Sequence, residues 1–397
     1  MNPTDLSHDS TPELWRHPET FSSFPHSAGS RPTLVEVDLA ALRHNITRIR
    51  ARVGKAQIMG IVKANAYGHG LIRTAQEVVN CGVEQLGVAF VEEGIVLRQN
   101  GIKVPILVLG GIIGDQLRDF IQHDLMITAS SIYKLDLIED AAQSLGKRAR
   151  IHVKIDTGME RLGIHHYNAA QLFEAVLATR HCDLCGVFSH LASSESPDKS
   201  FTQLQVERFL EATEWFNKRS LPMPLRHMAN SGGILQHPAT FFDLVRPGIM
   251  MYGVYPGAEV EKTVALQPVL SFKTRVVYFK VVPQGAAVGY NGTWTAPCDT
   301  RVVTLPVGYG DGYRRSLSNR GRVLIRGNSY PIVGNVSMDQ ITVNIGDGTA
   351  YNDDEVALIG AQGTECISVE EMANSMETIP YEVLTGINTR VPRLYRN

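Results

Sequence analysis

The sequence predicts a (β/α)8 barrel of the TIM type followed by a mostly β C-terminal domain. Three observations lead there. From residue 56 to about 247, eight short β-branched or apolar runs alternate with longer amphipathic stretches, the pattern of parallel strands with helical crossovers. Near residue 265 the texture changes to alternating, half-buried strands separated by Gly-rich turns. The 397-residue length exceeds one ordinary domain, so a change of rhythm is expected somewhere along the chain.

The candidate barrel strands are Gln57–Val62, Gln85–Ala89, Pro105–Leu109, Leu125–Thr128, Ile151–Ile155, Leu184–Phe188, Leu225–Met228 and Asp243–Val245. Helix-like segments lie between them, Gln203–Lys218 among them, with apolar residues at i, i+3 and i+4. Ahead of the first strand, Leu39–Val53 is helical in pattern. Thr33–Asp38 before it alternates like a strand that could belong to the barrel region or to the β domain. In the second domain, Arg275–Val282, Arg301–Val307, Arg322–Ile325 and Gln340–Ile345 read as strands, then a helix over Ser368–Asn374 and an irregular end. The expected organisation is a polar tail over 1–32, the barrel over 33–262 and the β domain over 263–397.

Composition narrows the function. Thirty-eight basic residues stand against 40 acidic ones, so no basic excess points to nucleic acid and no basic amphipathic segment to a membrane surface. No apolar run is long enough to span a bilayer, and the first 32 residues lack the apolar core of a secretion signal. Five cysteines do not make a disulfide scaffold, and a reducing cytoplasm fits them. Cys182 and Cys185 form a C-x-x-C with no second pair at zinc spacing, so they read as ordinary buried thiols and no metal is expected.

Catalytic groups of a parallel barrel sit where its strands end. Strand one ends in Val62-Lys63-Ala64-Asn65-Ala66-Tyr67-Gly68-His69-Gly70. Strand five runs through Lys154 and Asp156 to Arg161, and strand six ends at Ser189-His190. Strand seven ends at Asn230-Ser231-Gly232-Gly233 and strand eight at Arg246-Pro247-Gly248-Ile249. A lone lysine, histidine or glycine turn at a strand end is ordinarily structural. Their co-occurrence on one face suits an anionic, carbonyl-bearing ligand. Gly308-x-Gly310-x-Gly312 hints at a dinucleotide loop but has no βαβ unit around it, and His165-His166 reads as surface.

Val62 to Gly70 resembles the cofactor-lysine signature of alanine racemases. The stretches around Arg161, Arg246, Val288-Gly289-Tyr290, Gly308-Tyr309-Gly310-Asp311-Gly312 and Met338-Asp339-Gln340 match that family in order and spacing, from about residue 33 to the C-terminus. The resemblance implies a homodimer with shared active sites that interconverts L- and D-alanine by a two-base mechanism, supplying D-alanine for peptidoglycan. It implies that Lys63 forms an imine with pyridoxal 5'-phosphate and serves as base on the D-enantiomer's face, and that Tyr290, from the second domain of a partner, is the opposing base. Tyr67, Ser231, Gly248 and Ile249 would hold the phosphate. Arg246 would face the pyridine nitrogen, and His190 would lie against the ring and link Tyr290 to Arg246. Arg161 and the backbone at Met338 would bind the substrate carboxylate, with Tyr309 and Arg315 lining the mouth and Asp339 in support.

The residue types make chemical sense. A lysine amine forms imines and, once desolvated, becomes a base near neutrality. Racemisation needs a proton carrier on each face of the substrate carbon, and one side chain can serve only one face. A guanidinium, unlike the carboxylate usual in aminotransferases, would leave the pyridine nitrogen unprotonated and so suppress transamination. Two readings stand for Lys154: a carbamate pairing with Arg161, as in relatives, or neutralisation by Asp156.

One position departs from the family. Many members carry a tyrosine where Thr389 stands in Ile387-Asn388-Thr389-Arg390-Val391-Pro392-Arg393, which opens the alternative of a broader alanine/serine racemase. A barrel-type amino-acid decarboxylase would place a glutamate at the pyridine nitrogen. A non-catalytic pyridoxal-phosphate carrier would lack the second domain. Arg246 and Tyr290 speak against the first, and the extra C-terminal stretch carrying Tyr290 and Met338 against the second.

Overall fold

A computed structural model describes residues 31–397, so the expected tail over 1–32 lies outside the described residues but for its last two positions. Eight parallel strands close into a barrel: Gln57–Ile61, Gln85–Val88, Ile106–Val108, Met126–Ala129, Ala149–Asp156, Cys182–Phe188, Leu225–His227 and Leu244–Val245. Each pairs with the next, and Leu244–Val245 returns to Gln57–Ile58, so no barrel edge is left open. All eight predicted barrel strands are present, with small shifts of their ends. They were legible because strands covered on both faces read as unbroken apolar runs, and four of them are buried at every position.

Helix Leu39–Val53 shows the sequence logic clearly. Asp38 caps it by accepting from the Ala41 amide at 2.8 Å, and Gly54 ends it at φ +62°. Leu42, Ile46, Ile49 and Val53 fall on one buried stripe. Asn45 on the same face donates to the carbonyls of Met251 at 3.0 Å and Gln267 at 2.8 Å, tying the helix to the turn that follows the last barrel strand. The predicted helix over Gln203–Lys218 runs Ser200–Lys218.

Apart from Ile164–His165, which pairs parallel with Ala149–Asp156, the other described strands form a mixed sheet and two small antiparallel units. In the larger sheet, Leu34–Asp38 pairs antiparallel with Leu270–Arg275 and parallel with Arg393–Arg396, so the first strand of the chain lies in this sheet rather than in the barrel. The expected strand Arg275–Val282 is instead two. It breaks at Val276–Val277, where the Val276 amide bonds to Asp354 and the Val277 amide to Thr304, carrying the chain from one sheet to the other. Thr300–Leu305, Arg322–Ile325, Ile341–Gly346 and helix Val369–Ser375 answer to predicted elements, with Ser368 capping the helix. The end expected to be irregular holds helix Pro380–Gly386, opened by its proline, and strand Arg393–Arg396.

That C-terminal segment fastens the second domain onto the loop after the first barrel strand. Arg393 Nε donates to the Gly68 carbonyl at 3.0 Å and the Tyr395 hydroxyl to that of His69 at 3.1 Å. Gly68 and Gly70 sit at φ +82° and +94°, and an added Cβ would lie 2.2 Å from the Leu384 carbonyl oxygen and 1.9 Å from the Tyr395 hydroxyl, respectively. Glycine is obligatory at both for space as well as conformation. Gly68→Ala should therefore lower stability by about 2 kcal/mol or more in urea unfolding, because the obstructing atom at Gly68 is backbone and cannot rotate away. A wild-type unfolding midpoint would contradict this docking.

Candidate active site

The strand ends on the C-terminal face open into a cavity of about 960 Å³, within the range that holds a cofactor. Lys63, Tyr67, Lys154, Arg161, His190, Ser231, Arg246, Gly248 and Ile249 all line it, which brings together every barrel residue singled out in the sequence. Tyr290, Tyr309, Arg315, Met338 and Asp339 do not line the cavity of their own subunit. Tyr290 is 71% exposed and Met338 53%.

Lys63 begins a turn in which Ala64, Asn65, Ala66 and Tyr67 all have φ of 52–56°, a left-handed stretch with no glycine in it. Such geometry costs about 1–2 kcal/mol per residue, so the surroundings must enforce it. The Glu93 carboxylate accepts from the Ala64 amide at 2.6 Å while also accepting from Ala89 and Phe90. Ala66 N–H bonds to the Val62 carbonyl, and His69 Nδ1 faces the carbonyls of Ala66 and Tyr67 at 3.1 and 2.9 Å. The turn aims a half-buried Lys63 into the cavity. Burial, then the charge of Arg161 and that of Arg246, lower its amine from the ordinary lysine value, with Glu93 opposing.

Arg246 lies at the end of the last strand, 3% exposed. Its Nη1 donates to His227 Nδ1 at 2.8 Å, and Nη2 faces the carbonyls of Ser189 (2.7 Å) and Met228 (3.1 Å) and His190 Nδ1 (3.2 Å). Burial pulls this guanidinium down to about 9, which leaves it protonated at neutral pH. A guanidinium only donates, so the facing Nδ1 atoms of His227 and His190 must accept. His227 then carries its proton on Nε2 and donates it in a hydrogen bond to His152 Nδ1 at 2.9 Å, leaving the His152 proton on a buried Nε2 with no partner among the described residues. His190 and His227 are held well below the usual imidazole range by burial and then by Arg246. Nε–H and one Nη1–H of Arg246 remain free to face a ring nitrogen.

At the other end of the cavity, Ser231 Oγ accepts from the amides of Gly248 at 3.0 Å and Met250 at 3.4 Å, which turns its own hydroxyl proton outward. The Tyr67 hydroxyl sits where a Cβ on Gly248 would be 2.6 Å away, and burial keeps it protonated by raising its pKa. Ile249 opens a short 3-10 turn whose first amide has no acceptor within the turn. Two hydroxyl donors and a backbone amide thus converge as a phosphate needs, with an imine-forming amine and a buried guanidinium beyond them. This donor set fits pyridoxal phosphate.

Lys154 is buried, with its ammonium nitrogen 4.5 Å from the centre of the Phe188 ring. Asp156 is committed elsewhere: its carboxylate accepts from the amides of Gly158, Met159 and Arg161 and makes no ion pair with Lys154. Neutralisation by Asp156 is therefore not what the structure shows. Burial, followed by Arg246, pushes Lys154 well below its ordinary value, and Arg161 adds to that against an opposing Asp156.

Sequence reading passed over several residues of this site. His227 and His152 fall on inward-facing strand positions, and buried histidine there was the available signal. Glu93, Glu195 and Tyr381 had none, since each arrives by tertiary packing. Tyr381 lines the cavity 6.0 Å from the Tyr67 ring, whereas Thr389 is exposed and outside the lining. Gly308, Gly310 and Gly312 form no nucleotide loop. They pack against Ser337, the Arg390 guanidinium and Gly386, while buried Asp311 pairs with Arg31 and Arg390, and Arg390 reaches Asp339 at 2.8 Å. Among the described residues no group of side chains could hold a metal ion, and no helix is long and apolar enough to cross a membrane.

Comparison with known proteins agrees with this geometry. Residues 37–256 match the family model for the N-terminal domain of alanine racemase and residues 269–395 that for its C-terminal domain. The alanine racemase of Syntrophobacter fumaroxidans is 44% identical over 368 residues, covering 91% of this chain and 97% of the relative. The crystal structure of alanine racemase from the D-cycloserine producer Streptomyces lavendulae superposes with a TM-score of 0.89 at 34% identity, over 92% of this chain and 97% of that one. A histidine racemase from Leuconostoc mesenteroides has a TM-score of 0.85 at 26% identity, covering 93% of this chain and 99% of its own.

The buried imidazoles give the site a pH signature. His69 is pulled down to about 4 and His152 to about 3, both chiefly by burial, from an ordinary value of 6.5. Above that value both states are neutral and pH has no leverage. Below it the unfolded chain binds protons that the native state refuses, so stability should fall by up to ~1.4 kcal/mol per pH unit for each such histidine. In His152→Gln, whose amide oxygen can accept the His227 proton, urea unfolding between about pH 6.5 and 5 should show a shallower slope. An unchanged slope would argue that His152 is not held neutral.

Proposed function

The chain belongs to the alanine racemase family, and from that premise we propose that it exchanges the enantiomers of alanine through proton transfers at Lys63 and Tyr290, with pyridoxal phosphate as cofactor. The observation that carries this reading is the division of labour: Lys63, Arg161 and Arg246 share one cavity, while the second base stands exposed on the other domain.

Pyridoxal phosphate, when bound, supplies the electron sink that lets an α-hydrogen leave as a proton. The protein's residues do the rest. Ser231, Tyr67 and the amide of Ile249 would hold the phosphate, and the free N–H groups of Arg246 would face the ring nitrogen without giving up a proton. The exposed Arg161 guanidinium, which has no ion-pair partner among the described residues, would take the substrate carboxylate. Lys63 Nζ would hold the α-proton on one face and Tyr290 Oη on the other.

Tyr290 is not among the residues lining the cavity of its own chain, so it would serve such a cavity in a second copy. The apolar side chains of Tyr278, Phe279 and Val281 are exposed on an edge strand of the same domain, a surface that a homodimer would cover. The five free thiols fit a reducing cytoplasm. There the product would feed peptidoglycan.

Lys154 has the amine character and the neighbouring Arg161 that a carbamate would use, and we assign it that role. The native protein should then weigh one carbon dioxide more than its sequence, a difference lost in Lys154→Ala. Equal native masses for the two forms, corrected for the substitution, would remove the carbamate.

The decisive assay is chiral analysis with L-alanine, L-serine and L-lysine in deuterated water. Racemisation with α-deuterium uptake should be confined largely to alanine, and carbon dioxide release would mark a decarboxylase instead. Lys63→Ala and Tyr290→Phe should each be inactive alone. Mixed and allowed to exchange subunits, they should regain roughly a quarter of wild-type activity, since half the dimers are mixed and half their sites are intact. No recovery would mean that the two residues do not meet across an interface.

A further inference from the structure

The loops that must enter a partner's cavity are far apart in sequence: Tyr290 on one, Tyr309 on another, Met338 on a third. They share a spine. The Tyr309 amide donates to the Ser337 carbonyl at 3.0 Å and the Gly310 amide to that of Met338 at 2.9 Å, so the 337–338 backbone already carries the Tyr309 turn. The Tyr290 turn has left-handed residues at Gly289, Asn291 and Gly292 and an exposed ring. Two asparagines tie it to the same spine. Asn335 Nδ2 donates to the Tyr290 carbonyl at 2.8 Å, the only hydrogen bond to that carbonyl among the described residues. Asn319, itself at φ +57°, accepts from the Gly334 amide at 2.7 Å and donates to Thr293 Oγ1 at 3.2 Å. Gly334 is pressed against the Tyr290 loop, where a Cβ would lie 2.8 Å from the Val288 carbonyl oxygen.

We propose that Asn335, braced by Asn319, is a positioning residue that sets the Tyr290 hydroxyl relative to the Met338 backbone, so that the second base and the substrate-carboxylate contact enter the partner cavity in register. The inference rests on the proposed role of Tyr290. The physical need is plain. A base on a glycine-flanked turn is mobile, and a displacement of about 1 Å at a reacting atom can cost up to a hundredfold in rate. No other side chain bonds to Tyr290's own backbone among the described residues.

Asn335→Asp discriminates between positioning and mere filling of space. It preserves size but turns a donor into a carboxylate oxygen facing a carbonyl oxygen. Alanine racemisation by Asn335→Asp should fall roughly tenfold or more, and by Asn335→Ala less, with cofactor absorbance and dimer mass unchanged. The α-deuterium isotope effect should rise on L-alanine, whose proton Tyr290 would remove, and stay near wild type on D-alanine, where Lys63 would act. Should Asn335→Asp fail to fold or dimerise, Asn335→Ala combined with Asn319→Ala carries the same isotope test. Wild-type rates, or isotope effects rising alike for both enantiomers, overturn the proposal. Tyr290→Phe measured alongside separates the failures. If it is inactive while the Asn335 variants are normal, only the positioning role is lost; if it is fully active, Tyr290's own role falls and this inference with it.

Discussion

A buried guanidinium that can only donate orders the polar interior of this barrel. Arg246 sits where the last strand ends, and its donors fix which nitrogen of His190 and of His227 must accept. That choice passes through His227 to His152, two strands away, and terminates in an unpaired N–H. Each imidazole beside a permanent cation has to stay neutral, because a second charge in the same dry volume would cost several kcal/mol. The reward is a guanidinium held without a carboxylate, with two N–H groups left over. An acid at this position would reverse the electronics of any ring nitrogen placed against it. The absence of one is thus enforced by the network, and Arg246 could not be exchanged without rebuilding three histidines.

The second constraint is conformational. Four consecutive left-handed residues after Lys63 carry on the order of 4–8 kcal/mol of strain, which no local propensity offsets. Glu93 from the barrel, His69 from the turn, and Arg393 with Tyr395 from the end of the chain share the work of holding it. The second domain locks the lysine loop of its own chain, while Tyr290 and Met338 stand exposed on its surface. The sheet pairs residues 35–38 with 393–396, and the latter segment reaches the lysine loop.

The barrel was readable because burial on both sheet faces forces apolar runs of strand length, a signal that survives without any tertiary information. Residues at strand ends were readable for the same reason: topology alone gathers them on one face, so Lys63, His190 and Arg246 needed no packing argument. What could not be read depends on contacts distant in sequence. The break at Val276 follows from two amides finding acceptors in different sheets, and Val276 itself looks like any other strand residue. Glu93 reads as an N-terminal helix acid until the Ala64 amide is seen 2.6 Å away. Asp156 looks like a partner for Lys154 until the turn at 158–161 is seen to consume it. In each case a polar group had several local suitors, and only the fold chose among them.

That distinction also bears on Thr389. Read along the chain, the loss of a tyrosine there widens the pocket and loosens selection for a small substrate. In the fold, Thr389 is exposed and away from the cavity lining, while Ile379, Tyr381 and Thr385 of the same segment line the cavity. A methylene more or less in an apolar pocket changes discrimination by only about 1–3 kcal/mol, whereas a buried polar group left unpaired costs comparably or more. A serine hydroxyl in such a cavity would be tolerated or refused by whether it finds a polar partner there. Glu195 lines the cavity with its carboxyl pushed up by burial, one polar group that such a hydroxyl could meet. The size of the opening and the chemistry of its rim are separate determinants.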